Sequence, residues 1–271
     1  MQCAFLFTGQ GSQFVGMGKD LVERFPIARQ TFAEADAALG ESLSTLCFEG
    51  PEEQLGLTTN TQPATLAVAT AAFRALGRKP DLAAGHSLGE YAAHVAAGTI
   101  PFADAIRLVR ERAQRMQSAV PVGTGGMVVL RKMGLDEVKA LVAKVDAGLC
   151  EIANVNEPEQ IVVSGAIAAM DQVVALAPPR KALKLNVSVP FHCSLLRAAG
   201  DGFASFVVEG GFLATGSRDF TIKIAKKEND ATVIARNDTR GHKMQFRMNP
   251  GAIQESLTGQ QKPLRTVRRV Q

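Results

Sequence analysis

The pentapeptide Gly85-His86-Ser87-Leu88-Gly89 joins two segments of different period. Before it, Asp81–His86 reads as a short strand. After it, Leu88–Ala97 is small-sided, apolar and helical in pattern. A serine on so sharp a strand-to-helix turn needs small residues two before and two after it, so that the flanking backbones can approach without a Cβ clash. The hydroxyl then stands exposed above the sheet. The helix starting at Leu88 offers free N–H groups and a positive dipole end to a developing oxyanion. This pattern points to an acyl-transfer serine. The plain alternative is a Gly-rich strand–helix loop in which Ser87 only caps the helix.

A nucleophilic serine needs a base, and the chain has four histidines: His86, His94, His192 and His242. His86 adjoins the nucleophile and should point away from it. His94 lies on the following helix, where packing or solvent contact is the ordinary role. His242 lies in a polar tail. His192 closes Val189-Pro190-Phe191-His192-Cys193, directly after a predicted strand, where the chain should return to the main sheet. It is the best placed general base, and its alternative is a polar loop residue.

The rest of the chain fills in around this bend. Gln2–Thr8 reads as a buried strand followed by the loop Gly9–Gln13. Lys19–Leu39 reads as one helix, Pro51–Leu57 as a helical turn, and Gln62–Leu76 as a buried Ala-rich helix. Pro101–Ser118 is amphipathic, with Ala105, Leu108, Val109 and Ala113 on one side and the arginines elsewhere. Beyond Gly123–Gly126 the order changes to strand, helix, strand, strand, helix, strand: Met127–Arg131, Leu135–Val145, Cys150–Asn156, Gln160–Gly165, Ile167–Leu176 and Lys181–Val189. That is the order of a ferredoxin-like insert. The expected organisation is an α/β catalytic domain of residues 1–123 and 191–205, a small domain of 124–190, and a divergent basic tail of 206–271.

Composition narrows the function classes. Apolar residues make up 46% of the chain, enough for a core rather than a disordered segment. No run of about 18 apolar residues suggests a membrane span. Met1–Phe7 lacks the basic start of a signal peptide. The four cysteines are scattered, without metal-ligand spacing, which fits reduced thiols in a cytoplasmic compartment. The net charge of +4 comes from the tail, so the body gives no sign of a nucleic-acid binder.

Five ordered motifs carry a resemblance. Phe7-Thr8-Gly9-Gln10-Gly11-Ser12-Gln13, Asn60-Thr61-Gln62-Pro63-Ala64, Gly85-His86-Ser87-Leu88-Gly89-Glu90-Tyr91, Arg112 with Met116-Gln117, and Pro190-Phe191-His192 follow one another as in the malonyl-CoA:acyl-carrier-protein transacylases and related acyltransferase domains. The chain resembles that family over about residues 1–200. The resemblance implies an α/β-hydrolase-like large domain with a parallel sheet, carrying the inserted ferredoxin-like domain.

It also implies roles. Ser87 would be acylated by malonyl-CoA, with His192 as its base in a dyad whose imidazole is held by backbone carbonyls. The amides of Gln10 and Leu88 would face the oxyanion. Arg112 would pair with the free malonyl carboxylate, for which its planar fork is suited; Arg107, Arg110 and Arg115 lie nearby, and the residues alone do not choose among them. Phe191 would narrow the pocket, and Gln62 would line the site or serve the start of its helix. The acceptor would be the phosphopantetheine thiol of acyl carrier protein, with no metal and no bound cofactor.

Past about Leu196 the motifs stop. The family ordinarily continues for about another hundred residues, including a Glu-Val-Gly-Pro-Gly segment that is absent here. Arg197–Phe203 could begin its next helix, and Gly216–Ile224 faintly resembles one strand pair of a propeller blade. Met1 lies close to the first strand, which favours a free-standing enzyme over a piece of a larger synthase. Two other readings stand beside transfer: an α/β-hydrolase-type esterase or thioesterase, and an inactive truncated acyltransferase that only binds carrier protein.

Overall fold

The computed structural model describes residues 3–209, 213–216 and 222–225, with side chains as far as Phe203. Two parallel strands carry the Ser87 bend. β1 (Ala4–Phe7) runs beside β2 (Leu82–Gly85), with Ala4 opposite Leu82 and Phe7 opposite Gly85. Among the described residues these two strands make up the parallel sheet.

A parallel pair needs a long crossover. Here it is helical throughout: α1 (Lys19–Arg24), α2 (Pro26–Leu39), α3 (Leu43–Glu49), α4 (Glu52–Gly56) and α5 (Thr58–Leu76). The single helix expected over Lys19–Leu39 is two. Pro26 is the first residue of α2, and it forces Phe25 into extended backbone (φ −123°, ψ 114°), which ends α1. α3 is a helix with no expectation in the local pattern of the sequence. The helix expected from Gln62 begins at Thr58 instead, so Pro63 lies inside it. Proline cannot donate to the carbonyl four residues back. Arg110 Nη1 donates to that carbonyl, Thr59 O, at 2.6 Å, and this partner makes an interior proline tolerable.

After β2 come α6 (Gly89–Ala96), α7 (Phe102–Ala119) and, later, α10 (Arg197–Glu209). Their apolar faces meet those of α2 and α5 in one core containing Phe32, Leu66, Tyr91, Ile106, Leu108 and Phe203. Each fully buried large side chain of this kind contributes roughly 1.5–3 kcal/mol. The helical face assigned to α7 needs one correction. Arg112 is not on the solvent side with the other arginines but is buried, 7% exposed, between Val109 and Ala113 on the packed side.

The second sheet is built from β3 (Gly125–Arg131), β4 (Cys150–Glu157), β5 (Gln160–Ala166) and β6 (Ala182–Lys184), with α8 (Leu135–Val142) and α9 (Ile167–Leu176) between them in sequence. The spatial order is β4-β5-β3-β6, every neighbour antiparallel, which is the ferredoxin-like arrangement. Alternation along β3 divides its two faces. Val128 and Leu130 pack with Met170 and Val173 of α9. Met127 and Val129 pack with Met116 of α7, with Val120 just beyond it, and with Phe191 and Leu196. The expected strand Lys181–Val189 shrinks to three residues. Leu185 still donates to Met127 O, but Val187 donates back to Leu185 O, and the chain peels off the sheet towards His192.

β7 (Leu213–Gly216) and β8 (Ile222–Ala225) pair antiparallel. The segment joining them and the basic remainder that holds His242 lie outside the described residues.

Candidate active site

The bend between β2 and α6 is as tight as its glycines require. A Cβ on Gly85 would fall 2.0 Å from the Gly89 carbonyl, and one on Gly89 would fall 2.2 Å from Phe7 O. Ser87 itself has φ +52°, a left-handed conformation that costs a non-glycine residue roughly 1–3 kcal/mol. Gly9 lies against the same bend: a Cβ there would approach His86 O to 2.9 Å and Ser87 Cβ to 3.7 Å. The loop that carries Gln10 therefore sits beside the serine. The Gln10 and Leu88 amides have no hydrogen-bond acceptor among the described residues. They are unpaired backbone donors, one adjoining Ser87 in the chain and one following Gly9.

His192 reaches the serine from 105 positions away, with Nε2 3.0 Å from Ser87 Oγ. Its backbone is also left-handed, φ +59°. Strain at both members of one contact is what a fold tolerates when the surrounding packing dictates the geometry. Burial, then the Arg112 cation, then His86 push the His192 pKa down from 6.5 to about 3. The ring is thus neutral at neutral pH. For Nε2 to accept the serine proton, the ring proton must sit on Nδ1.

Arg112 completes the cluster. Its Nη2 donates to Ser87 Oγ at 3.4 Å, and its Nη1 donates to Gln62 Oε1. The guanidinium also lies over the Tyr91 ring, 6.0 Å from the centroid. Burial lowers its pKa, while the fields of Tyr91 and Glu90 oppose that shift. The other arginines of α7 are directed elsewhere. Arg107 binds Ala38 O and Asp104, Arg110 binds Thr59 O, Asn60 and Glu41, and Arg115 binds Glu111. The choice left open by sequence is decided by geometry: Arg112 is the arginine at Ser87.

This is a serine, a neutral imidazole and a buried cation around one oxygen, and known proteins share the chain's sequence and fold. A family model described as acyl transferase domain matches residues 4–250. The malonyl CoA-acyl carrier protein transacylase of Salmonella typhimurium is 43% identical over 243 residues, covering 86% of this chain and 78% of that protein. The protein of the same name from Bacillus subtilis strain 168 is 46% identical over 206 residues, 73% of this chain and 65% of that one. The crystal structure of an acyl-carrier-protein S-malonyltransferase from Burkholderia pseudomallei superposes with a TM-score of 0.75 at 40% identity, covering 95% of this chain and 80% of that one.

The chain belongs to the acyl transferase domain family.

It spans 65% to 78% of the length of the two curated relatives, and the family match runs to residue 250, beyond Leu196 where recognisable motifs stop. The remaining sequence candidates lie in different surroundings. Gln62 is fully buried, accepting from Arg112 at Oε1 and donating to Met116 Sδ at Nε2. Phe191 is packed with Met116, Val129 and Leu196, in the core beneath the His192 loop. His86 Nε2 is 3.3 Å from Asn154 Nδ2, turned towards β4. His94 is buried with Nδ1 2.8 Å from Thr99 Oγ1, and burial lowers its pKa to about 4.

Sequence reasoning gave no role to Tyr91 and Glu90, although both stand in the quoted motif, nor to Asn154 and Glu151 of β4. The β4 residues belong to a strand distant in sequence from the serine and carry no local signal. No helix of the described residues is long and apolar enough to cross a membrane.

Proposed function

We propose that this chain transfers a malonyl group from malonyl-CoA to the phosphopantetheine thiol of an acyl carrier protein. The observation that carries the reading is the Arg112 guanidinium, buried 3.4 Å from the hydroxyl that also contacts His192. A simple ester hydrolase has no use for a desolvated cation there. An acyl group bearing a second carboxylate does, because an anion offsets the cost of burying the cation.

In the first half-reaction Ser87 Oγ attacks the thioester carbonyl carbon while His192 Nε2 takes its proton. The Gln10 and Leu88 amides hold the oxyanion. Collapse of the adduct breaks the C–S bond, and the imidazolium returns the proton to the departing CoA thiolate. Arg112 binds the malonyl carboxylate, and Gln62 orients the guanidinium. In the second half the carrier thiol gives its proton to His192 and attacks the ester carbonyl. The Ser87 oxygen leaves and recovers that proton. No step calls on a metal or a bound cofactor. Phe191, fixed in the core, shapes the loop that walls the acyl site. The catalytic body comprises residues 1–123 and 191–205 and the small body 124–190. Four free thiols fit a reducing cytoplasm.

Intact-protein mass spectrometry after exposure to malonyl-CoA tests the reading. The expected result is one malonyl adduct, absent in Ser87→Ala and lost again on adding phosphopantetheinylated carrier protein. Free malonate released quickly without an adduct would favour the hydrolase. Carrier binding with no acylation would favour a docking module.

A further inference from the structure

The loop that carries His192 is gripped by a carboxylate from the other sheet. Glu151, the second residue of β4, accepts the Ser194 N–H at Oε2 (2.7 Å) and the Ser194 hydroxyl at Oε1 (2.8 Å). Ser194 opens a short 3-10 turn, Ser194–Leu196, two residues beyond the base. Leu196 and Phe191 bracket the loop and are buried against the same face of the sheet. Between these anchors the chain turns through the left-handed His192, φ +59°.

A histidine does not rest there unless its neighbours hold it. Relaxing φ at His192 would swing everything after it, beginning with Cys193 and Ser194. Two hydrogen bonds to a carboxylate oppose such a swing, and bonds of that type are about twice as strong as neutral ones. The register fixes the grip from behind. Glu151 lies opposite Ser164 of β5, so its position is set by the ladder and not by a flexible loop.

We infer that Glu151 is a positioning residue for the Ser87–His192 pair: by holding Ser194 it keeps the imidazole aimed at the hydroxyl oxygen. The inference rests on the acyl-transfer reading for its consequence in turnover. Its primary test does not, because the reactivity of Ser87 can be measured with a fluorophosphonate, which needs the dyad and neither malonyl-CoA nor Arg112.

The test compares wild type with Glu151→Ala, Glu151→Gln, Ser194→Ala and, as a control on the same strand, Glu157→Ala. The labelling rate of Ser87 is followed by intact mass spectrometry, and kcat and KM for malonyl-CoA are measured alongside. A misplacement of the base by about 1 Å is worth up to about 10²-fold in rate. Glu151→Ala should therefore lose about 10- to 100-fold in labelling and in kcat, with KM essentially unchanged. Glu151→Gln keeps an acceptor for the N–H and should recover most of that loss. Ser194→Ala, which removes one of the two bonds, should fall between, and Glu157→Ala should match wild type.

Wild-type labelling by Glu151→Ala overturns the inference. So does equal loss in the Ala and Gln variants, or a rise in KM without a fall in kcat. If Glu151→Ala does not fold, the Gln and Ser194→Ala variants decide: both at wild-type rate defeats the inference, and graded loss supports it. If wild type labels with the probe but is never acylated by malonyl-CoA, the proposed function fails and the positioning role stands or falls on the labelling alone.

Discussion

Replacing Arg112 with Ala separates recognition of the acyl group from activation of the serine. The guanidinium contacts Ser87 Oγ, Gln62 Oε1 and the Tyr91 ring, and it is 7% exposed. Removing one partner of a buried, hydrogen-bonded charge pair costs about 2–5 kcal/mol. For malonyl-CoA that corresponds to a fall in kcat/KM of about 30-fold to several thousand-fold, at about 1.4 kcal/mol per decade. Acetyl-CoA brings no carboxylate, so in wild type the cation gains nothing from it. Its kcat/KM should not fall with the malonyl rate, since no acetyl contact is lost and release of His192 from the cation's field acts in the opposite direction. The ratio of malonyl to acetyl use therefore drops by about 30-fold or more. The variant also leaves the buried Gln62 oxygen without its donor, at a cost of roughly 1–3 kcal/mol in stability. Rates must accordingly be measured well below the melting transition. Single-turnover acylation of Ser87 by each thioester, quantified as adduct mass, is the direct assay. Arg112→Lys keeps the charge without the fork and should recover part of the malonyl rate. Equal loss for both thioesters in a folded variant would refute the carboxylate clamp and leave Arg112 as a partner of the serine alone.

Two further perturbations test the frame around the site. Gly89→Ala places a methyl 2.2 Å from Phe7 O, against backbone that cannot give way, so it should lower the unfolding free energy by about 3 kcal/mol or more, read as a lower urea midpoint, and an unchanged midpoint would show that the bend is looser than described. His94 is 1% exposed, with its pKa lowered from 6.5 to about 4 by burial, so the unfolded chain binds the extra proton between those values. Stability is therefore full above pH 6.5 and declines as pH falls towards 4, by up to roughly 3 kcal/mol from this residue. His94→Gln should flatten that slope in urea titrations at stepped pH, and an unaltered slope would assign the loss to other groups.

The parts legible in sequence are those where local geometry forces residue identity. Gly85 and Gly89 had to lack a Cβ, and the contacts at 2.0 and 2.2 Å give the reason. The order of strands and helices after Gly123–Gly126 was enough to specify the second sheet. What was not legible depends on partners far along the chain. Pro63 reads locally as a helix start, and only Arg110 on α7 makes it an interior residue. Arg112 has the same period as its neighbours and differs from Arg107 and Arg110 only in what α5 and α6 place opposite it. Glu151 is invisible for the same reason, being one carboxylate on a half-polar strand until the His192 loop returns to meet it.

The electrostatics of the cluster make one more demand, which pH can test. A base held at about 3 is weak, and the Arg112 cation is the second largest cause of that shift after burial. The guanidinium is 3.4 Å and the imidazole 3.0 Å from the same oxygen. The two charges are thus roughly 5–6 Å apart, where an effective dielectric of about 20 gives about 3 kcal/mol, or about one to two pH units once solvent screening at the part-buried ring is allowed for. A malonyl carboxylate on Arg112 cancels most of that field. Binding the correct acyl group therefore raises the basicity of His192 at the moment a proton must be taken, and again in the acyl-enzyme when the carrier thiol arrives. The acid limb of kcat, which reports the bound state, should lie about one to two units above that of kcat/KM, which reports the free enzyme. Profiles for malonyl-CoA carried down to about pH 3.5 should then show kcat falling about one to two units before kcat/KM does. With acetyl-CoA, which leaves the cation in place, the two limbs should coincide. Coincident limbs for malonyl-CoA as well would mean that Arg112 and His192 do not sense each other, whatever their separation.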